Sequence, residues 1–523
     1  MTEFKDTKEK IRHIFCSLAL FGVLSSCIAF ADAANSYEQA MAFRSFGLFL
    51  ALSLTAPVFK LKKSTMISLA VWIPSCFIIT HFGYSLKIIP DTCNYTSANV
   101  LRLSKFMIFI WGAFVISYIT GRIRGDGFIK LSSSKAGRIT GIFWILFIFL
   151  TTLFNRGFLY NAMFVLGYSA MFIVFSEKKN RRLFIKSFFN AFIMSFISVS
   201  IFSLLFRPYD TERYGLCFYN TNSAGEYLAA VFAVLVTCLD ICYKKGEKKK
   251  VIFLNILLAW EGVLAFLNNT RTGILAVILA SAVLFFVKLK GNKNKKKVIR
   301  RFAVPLILSA VILYPGFLIV RYLPAAVDRP FFFSYEEDAE HRVVKGDPAD
   351  SPKYTSFKGL LREMFGKWGL LIDFGEEEYV RADGSEQTGK IELDDKDVSN
   401  GRMEIWSLFL SRTGLKPHYP GHIEKEDGTI IYHAHNTYFQ VSYQFGILSG
   451  LVLIFLNLSA VVISFTEYVK GKGRSRGIAF PLLMSIIASF AMLTEWMGHP
   501  CYAICFALFT GTAYIMYETG DKR

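Results

Sequence analysis

Runs of about 20 apolar residues recur along the chain, and this repetition restricts the fold more than any other feature of the sequence. A helix that crosses the hydrocarbon core of a bilayer needs a run of that length. We count fourteen, centred near residues 21, 50, 73, 112, 147, 167, 196, 233, 260, 280, 311, 451, 487 and 509. Because 53% of the 523 residues are hydrophobic, one soluble core could not bury them all. The sequence therefore predicts an all-α, polytopic transmembrane helical bundle of about 14 helices.

The charges between these runs indicate how the helices are oriented. Cytoplasmic loops of membrane proteins carry an excess of Lys and Arg. The alternation of basic loops therefore predicts a cytoplasmic N-terminus and a multi-pass protein of the cytoplasmic (inner) membrane. It also accounts for the net charge of +19 without a nucleic-acid partner. The basic loops are KLKK (60–63), RIRGDGFIKLSSSKAGR (122–138), EKKNRR (177–182), KKGEKKK (244–250), KLKGNKNKKKVIRR (288–301) and KGKGRSRG (470–477).

One long polar segment differs from the other loops. Residues 321–435 contain 22 Asp and Glu against 15 Lys and Arg, and the charge alternation places them outside the membrane. Helical apolar spacing predicts amphipathic helices over 354–374 and 399–414. The acidic stretch 375–397 between them is interpreted as a solvated insert. The apolar face of the second helix is predicted to be Ile405, Trp406, Phe409 and Leu410.

These features predict four regions. They are N-terminal transmembrane helices in 1–200, further helices with outer arginine loops in 201–320, an extracytoplasmic loop domain in 321–435 and C-terminal helices in 436–523. No metal-ligand spacing, Walker loop or GxGxxG motif is visible, which argues against a nucleotide-driven enzyme and against a metal site.

Arginines with small or amide neighbours mark three of the outer segments. They occur in RYGLCFYNTNSAGEYLA (213–229), NNTRTG (268–273) and SNGRMEIW (399–406). Arg271 occupies a turn of only a few residues, so it stays near the edge of the bilayer. Its guanidinium could donate bidentate hydrogen bonds to a diphosphate. It could equally anchor its helix at lipid headgroups, and the sequence leaves both roles open.

The segment YHAHNTYFQVSYQFG (432–446) places two histidines where the polar loop meets an apolar run. Asn436 is a good N-cap for TYFQVSYQFGILSGLVLIF, so we expect one helix to begin at Asn436 or Thr437 and to continue through this segment. His435 would then lie at the positive end of that helix, which favours a neutral imidazole that can accept a proton. Because His433 and His435 are two residues apart, their side chains would share a face only in a strand. If a helix begins here, one of the two histidines is therefore expected to be passive. Alternative bases are Asp210, Glu212, Glu226 and Glu495, and the intramembrane Glu261 is either functional or paired with a buried neighbour.

Four segments together resemble one known family. RYGLCFYNTNSAGEYLA, NNTRTGILAVILA, SNGRMEIWSLFL and HAHNTYFQVSYQFGILSGLVLIF are similar, in this order, to motifs of the O-antigen ligase and polysaccharide polymerase family. The similar region is 200–465. The chain departs from the family in having NTNSAG where a Pro-Asn pair is common, in the acidic insert and in its larger number of helices. The resemblance implies a helical bundle like that of the C-type glycosyltransferases (GT-C).

The resemblance also implies an activity. Members of this family are metal-independent, inverting glycosyltransferases that need no cofactor. They move a glycan from a polyprenyl (undecaprenyl) diphosphate carrier to an acceptor hydroxyl on a glycan, lipid or wall component outside the cytoplasmic membrane. The motifs assign diphosphate stabilisation to Arg213 and Arg271 and the acceptor proton to His435. Further substrate-binding candidates are Arg402, Asn436, Asn222 and Arg207.

The sequence leaves two alternatives open. The sequence does not separate a ligase, which transfers a finished glycan, from a polymerase, which lengthens a repeat unit. A lipid-linked oligosaccharide flippase would also fit fourteen helices, but such a transporter is expected to have related halves and polar residues along a central cavity. The asymmetric external segment and the outer arginines favour the glycosyltransferase.

Overall fold

The protein is described here by a computed structural model. It describes residues 6–26, 37–56, 63–82, 98–123, 134–154, 167–207, 209, 213–218, 220–327, 331–333, 343–345, 356–367, 379–380, 386–387, 402–418, 421–471, 473, 477–494 and 502–519. The regular secondary structure of these residues is helical apart from three short antiparallel strand pairs. The helices are α1 (Thr7–Ser26), α2 (Tyr37–Thr55), α3 (Lys63–Phe82), α4 (Ala98–Ile123), α5 (Lys135–Phe154), α6 (Tyr168–Phe175), α7 (Lys178–Phe206), α8 (Thr221–Lys245), α9 (Lys248–Asn268), α10 (Arg271–Gly291), α11 (Lys295–Ala326), α12 (Phe357–Lys367), α13 (Arg402–Arg412), α14 (Thr437–Phe445), α15 (Ile447–Lys470), α16 (Ala479–Thr494) and α17 (Ala503–Glu518).

The strands are β1 (Phe331–Phe333), β2 (Val343–Lys345), β3 (Tyr379–Val380), β4 (Glu386–Gln387), β5 (Ile423–Glu424) and β6 (Ile430–Ile431). They pair as β1 with β2, β3 with β4 and β5 with β6. In the last pair Ile423 lies opposite Ile431. Ile423 is buried beside Phe409 of α13 and Tyr443 of α14, so this hairpin closes a small hydrophobic core.

Six of the described helices are long and apolar enough to cross a membrane, namely α7, α8, α9, α10, α11 and α15. Large apolar side chains on them face outward, and Phe286 and Leu306 are 65% and 70% exposed. Contact with lipid removes such surface from water, whereas a soluble protein would leave it hydrated. The prediction of an all-α membrane protein is therefore confirmed. A helix covers or adjoins each of the fourteen predicted centres, but the number that cross the membrane stays a prediction.

Both predicted external helices are present where the structure describes this segment. Helix α12 is described over Phe357–Lys367 within the predicted 354–374, and α13 over Arg402–Arg412 within 399–414. The predicted packing face of α13 is partly wrong, because Leu410 is 48% exposed and Leu408 packs on the core instead. Helix α11 continues to Ala326, beyond the predicted boundary at 321. Apart from β3 and β4, the acidic stretch 375–397 lies outside the described residues.

The structure separates into two compact units. The first comprises residues 1–27, 35–192 and 405–523, and the second comprises 28–34 and 193–404. In the first unit, α1 packs on α2, α3 on α4, α5 on α15 and α16 on α17. Phe509 of α17 stands at the centre of an aromatic cluster, with its ring centroid 4.7 Å from Tyr168 and 5.1 Å from Trp144.

In the second unit, α8 packs against both α9 and α10, and α9 packs against α11. Ser309 of α11 donates to the Ala259 carbonyl of α9 at 3.0 Å, which ties these two helices together in the bilayer region. The short α12 rests on α11, with the Phe357 ring 5.0 Å from Tyr314 and 5.2 Å from Phe317. The helix pair α8 and α10 positions the arginines that the sequence singled out.

Candidate functional site

The loop that precedes α8 is hydrogen-bonded to the end of α9. Tyr214 N donates to the Leu267 carbonyl at 2.9 Å. In return, the buried Asn268 side chain donates to the Tyr214 carbonyl at 2.9 Å and to the Thr221 carbonyl at 2.8 Å. A buried amide that meets its backbone partners in this way fixes the loop at the helix ends. The loop therefore holds Arg213 in a defined place.

Arg213 is bound by three groups from two different segments. Its Nη2 donates to Asn222 Oδ1 at 2.7 Å and to Thr270 Oγ1 at 2.6 Å, and its Nε donates to the Asn268 carbonyl at 3.2 Å. Thr270 in turn donates to Asn268 Oδ1. The planar guanidinium is thus held at the first turn of α8 and the first turn of α10 at once. The structure brings together Arg213 and Asn222, both predicted site residues.

Two glycines let the first turns of α8 and α10 approach each other. A Cβ on Gly225 would lie 2.6 Å from Thr270 Oγ1 and 2.7 Å from Asn268 Oδ1, so no larger residue fits without movement. A Cβ on Gly273 would meet the Gly225 carbonyl oxygen at 3.5 Å, an ordinary contact. Gly225 is therefore the residue that permits the Arg213 network to form.

The N-termini of two helices, α8 and α10, lie beside the Arg213 side chain. Asn220 caps α8 through its side chain, which accepts from Asn222 N at 2.8 Å. Helix α10 begins at Arg271, and its N-cap residue Thr270 makes no side-chain capping bond, because its hydroxyl is engaged with Asn268 and Arg213. Each helix start carries roughly half a positive charge. With Arg213 and the partly buried Arg271 beside them, the region favours an anion electrostatically.

Arg207 packs against the same loop as Arg213. It is buried, and its carbonyl accepts from the Tyr214 hydroxyl at 3.0 Å. Its charge also acts on the neighbouring thiol of Cys217, although burial dominates and raises the pKa of that thiol to about 12. Cys217 is therefore inert at neutral pH. Arg207 is part of the packed loop in the structure.

A further residue, not predicted from the sequence, lies in the turn between α9 and α10. Asn269 adopts a left-handed backbone with φ 50 and is 2% exposed. Among the residues that the structure describes, neither polar atom of its side chain has a hydrogen-bond partner. Asn, like Gly, tolerates this conformation, which is why the tight turn has an asparagine here. The motif NNTRTG was the signal for this role, because Asn268, Asn269 and Thr270 all position the turn around Arg271.

A second group of predicted residues lies in the first unit at the start of α14. Asn436 is the N-cap, as predicted, and its Oδ1 accepts from Tyr438 N at 3.0 Å and Phe439 N at 3.2 Å. Its Nδ2 donates to the Leu493 carbonyl at 2.9 Å, at the end of α16. Gln440 accepts from Ala434 N at 2.8 Å and donates to the Gly421 carbonyl at 2.7 Å. The backbone on both sides of His435 is therefore fixed.

The two histidine side chains lie together although the chain here is not a strand, contrary to the expectation that they share a face only in a strand. His435 has a left-handed backbone with φ 48, and this turn brings its ring to 4.2 Å from the ring of His433. The i, i+2 rule assumed regular secondary structure, which His435 does not have. The predicted continuous helix after Asn436 is also interrupted. Gly446, with φ 86, separates α14 from α15, and a Cβ there would lie 2.7 Å from the Leu415 carbonyl oxygen.

The remaining candidates are placed as follows. Arg402 begins α13 and is partly buried. Glu226 is buried in the second turn of α8, and Glu261 is buried within α9. No group of three or more His, Cys, Asp or Glu side chains that could hold a metal ion occurs within the described ranges. Three alternative bases lie outside those ranges: Asp210, Glu212 and Glu495.

Comparisons with known proteins add no relative. No protein-family model, no curated protein and no solved structure matches the chain.

Proposed function

We propose that the chain is a membrane glycosyltransferase with a GT-C-like bundle, acting as an O-antigen ligase or a surface polysaccharide polymerase. It would take a glycan from a polyprenyl diphosphate carrier and pass it to an acceptor hydroxyl on the outer side of the cytoplasmic membrane. The observation that carries the proposal is the position of the Arg213 guanidinium, which is held by Asn222 and Thr270 at the starts of α8 and α10. Arg271, the residue after Thr270, is the first residue of α10.

The chemistry of this place suits a lipid diphosphate as the leaving group. Two arginines and two helix N-termini supply positive charge at the ends of apolar helices, where a lipid-borne diphosphate would lie. Preorganised donors stabilise charge that develops in a transition state, because they need not reorient when the bond breaks. In the proposed step, the acceptor oxygen bonds to the anomeric carbon with inversion while the bond from that carbon to the diphosphate breaks.

The acceptor hydroxyl must lose its proton in this step. The proposal assigns that proton to His435, whose backbone is fixed by the Asn436 cap and by the Gln440 bonds. A positioned imidazole is the commonest general base in proteins. Asn436, Arg402, Asn222 and Arg207 are assigned to binding of donor and acceptor, and Arg213 and Arg271 to the diphosphate.

The decisive experiment uses the purified full-length chain in lipid vesicles with a polyprenyl-diphosphate-linked glycan and candidate acceptors. Formation of a new glycosidic bond with release of polyprenyl diphosphate is the expected result. Longer glycan chains would identify a polymerase, and glycan on a lipid core or wall acceptor a ligase. If the intact donor moves across the bilayer and no bond forms, the chain is a flippase and the proposal is wrong.

A further inference from the structure

A second cluster of charged and polar side chains lies in the same unit, at the end where α8 finishes and α9 begins. It is centred on Tyr243, about 30 Å along α8 from Asn222 at the usual helical rise. The proposed glycosyltransferase chemistry does not use it. Its members come from α8, α9, α10 and α11, so four helices converge on it.

The ionic part of the cluster surrounds one carboxylate. Buried Asp240 accepts from Lys244 Nζ at 2.5 Å, one helical turn away, and from the Nζ of Lys288 in α10. Arg301 of α11 lies with its guanidinium carbon 4.2 Å from the centre of the Tyr243 ring. Tyr243 and Asp240 are three residues apart and so share a face of α8. Two lysines therefore bind one carboxylate while Arg301 lies over the Tyr243 ring, so these four charged groups carry excess positive charge.

Two polar atoms of the cluster lack partners among the described residues. Asn255 of α9 is 5% exposed, and its Nδ2 donates to the Val251 carbonyl at 2.7 Å and to the Tyr243 hydroxyl at 3.3 Å. These two bonds use the amide nitrogen and thereby identify the other atom as Oδ1. Asn255 Oδ1 and Arg301 Nε are both buried without a hydrogen-bond partner. A buried acceptor and a buried donor left open in one cluster indicate a ligand that supplies both complements.

An internal ion pair alone does not explain the cluster. Asp240 with Lys244 and Lys288 would tie α8 to α10 without further help. That arrangement leaves Arg301 Nε and the amide oxygen of Asn255 buried without hydrogen-bond partners among the described residues. Each lysine also uses only one of its three ammonium donors on Asp240. The unused groups all favour the same kind of ligand. Such a ligand is an anion that accepts hydrogen bonds from the cationic side chains and also carries a hydroxyl group.

We propose that this cluster binds the headgroup of an acidic phospholipid with a free hydroxyl, of the phosphatidylglycerol class. The phosphate oxygens accept from Arg301, Lys244 and Lys288, and a headgroup hydroxyl donates to Asn255 Oδ1. The neighbouring surface favours a lipid over a soluble phosphate ester, because apolar side chains beside the cluster are exposed for acyl chains to cover. On α9 these are Ile252 and Ile256, at 63% and 55% exposed.

Native mass spectrometry of the full-length chain in detergent tests this inference. Phosphatidylglycerol, phosphatidylcholine and the soluble compound glycerol 1-phosphate are titrated separately and in competition. We expect one retained phosphatidylglycerol, with an affinity about tenfold above that of phosphatidylcholine, and no displacement by glycerol 1-phosphate. Equal retention of the two lipids would refute a headgroup site. Displacement by glycerol 1-phosphate would overturn the assignment to a lipid.

Matched variants locate the binding. Arg301→Gln and Asn255→Asp should each weaken phosphatidylglycerol binding about tenfold, since one removes the guanidinium and the other places a negative charge beside the phosphate. The control is Arg300→Gln, which removes the same charge from the neighbouring, exposed position of α11. If Arg300→Gln weakens binding as much as Arg301→Gln, the attraction is general surface charge and the inference is wrong. If Arg301→Gln does not fold, Asn255→Asp, which preserves the shape of the side chain, decides the question alone.

Discussion

Arg213 Nη2 donates to Thr270 Oγ1 at 2.6 Å, although the two residues are 57 positions apart in the chain. This bond joins the loop before α8 to the first turn of α10. It depends on the close approach of the two helices at Gly225, whose missing side chain leaves room for Thr270 and Asn268. The geometry of the proposed anion site therefore depends on packing between the two helices as much as on Arg213 itself.

Gly225→Ala tests that dependence. The added methyl would overlap the Thr270 hydroxyl and the Asn268 side chain, so we expect the free energy of unfolding to fall by about 1–3 kcal/mol. The matched control is Gly273→Ala on the facing helix, where the new Cβ meets its nearest atom at an ordinary 3.5 Å. Thermal unfolding of both variants in detergent measures the difference. Equal stability of the two proteins would show that the helices can separate at this point without cost.

Arg271→Lys and Arg213→Lys test the role of the guanidinium. Lysine keeps the charge but loses the planar fork that binds two phosphate oxygens at once. For a lost transition-state donor we expect the rate of glycan transfer to fall about 10²–10³-fold, with normal amounts of protein in the membrane. The control is Arg300→Lys, at an exposed position of α11. If Arg271→Lys transfers glycan at the wild-type rate, Arg271 is a lipid anchor and does not bind the diphosphate.

The helices and one helix start could be predicted from the sequence, because both depend on local properties. Apolar runs located the helices, and Asn436 was identified as an N-cap from residue type and position. The contacts of Arg213 could not be predicted, since hydrogen bonds between distant segments leave no pattern along the chain. The break at Gly446 was missed for a similar reason. It follows from the approach of the Leu415 backbone, while the surrounding residues keep helical apolar spacing.

The arrangement of loops on the two sides of the membrane is a separate prediction. Single cysteines in a background without native cysteines should report it: Val380→Cys is expected to react with a membrane-impermeant maleimide on intact cells. Asn294→Cys and Lys249→Cys, in the basic segments 288–301 and 244–250, should react only after the membrane is opened. Labelling of Val380→Cys from the cytoplasmic side alone would invert the topology and remove Arg213 and Arg271 from the outer surface.

Transfer should not require a metal ion if the arginines stabilise the diphosphate. We expect the rate to stay within about twofold when the purified protein and substrates are assayed with EDTA. The control is the same assay after EDTA is removed and Mg²⁺ added, which should give no increase. If chelation abolishes transfer and Mg²⁺ or Mn²⁺ restores it, carboxylates such as Glu226, Asp210 or Glu495 must hold a cation, and the arginines serve another purpose.

The last prediction separates the two histidines, whose rings lie 4.2 Å apart. His435 immediately precedes the Asn436 cap, so its backbone is tied both to α14 and, through Asn436, to the Leu493 carbonyl of α16. A general base must be held in place, and we therefore expect His435→Ala to lower transfer about 10²–10⁴-fold. His433→Ala is the matched control and should cost at most about tenfold, because it removes only a neighbour of the base.

Both histidine variants must first reach the membrane at normal levels and unfold at the wild-type temperature, since a disturbed α14 would imitate a catalytic loss. His435→Gln adds a further check, because glutamine can hydrogen-bond but cannot take up a proton at neutral pH. It should be as inactive as the alanine variant. If His433→Ala is inactive and His435→Ala is active, His433 is the base and His435 only shapes the turn. If both transfer glycan at the wild-type rate, imidazole is not the base, and a carboxylate such as Glu226 takes its place.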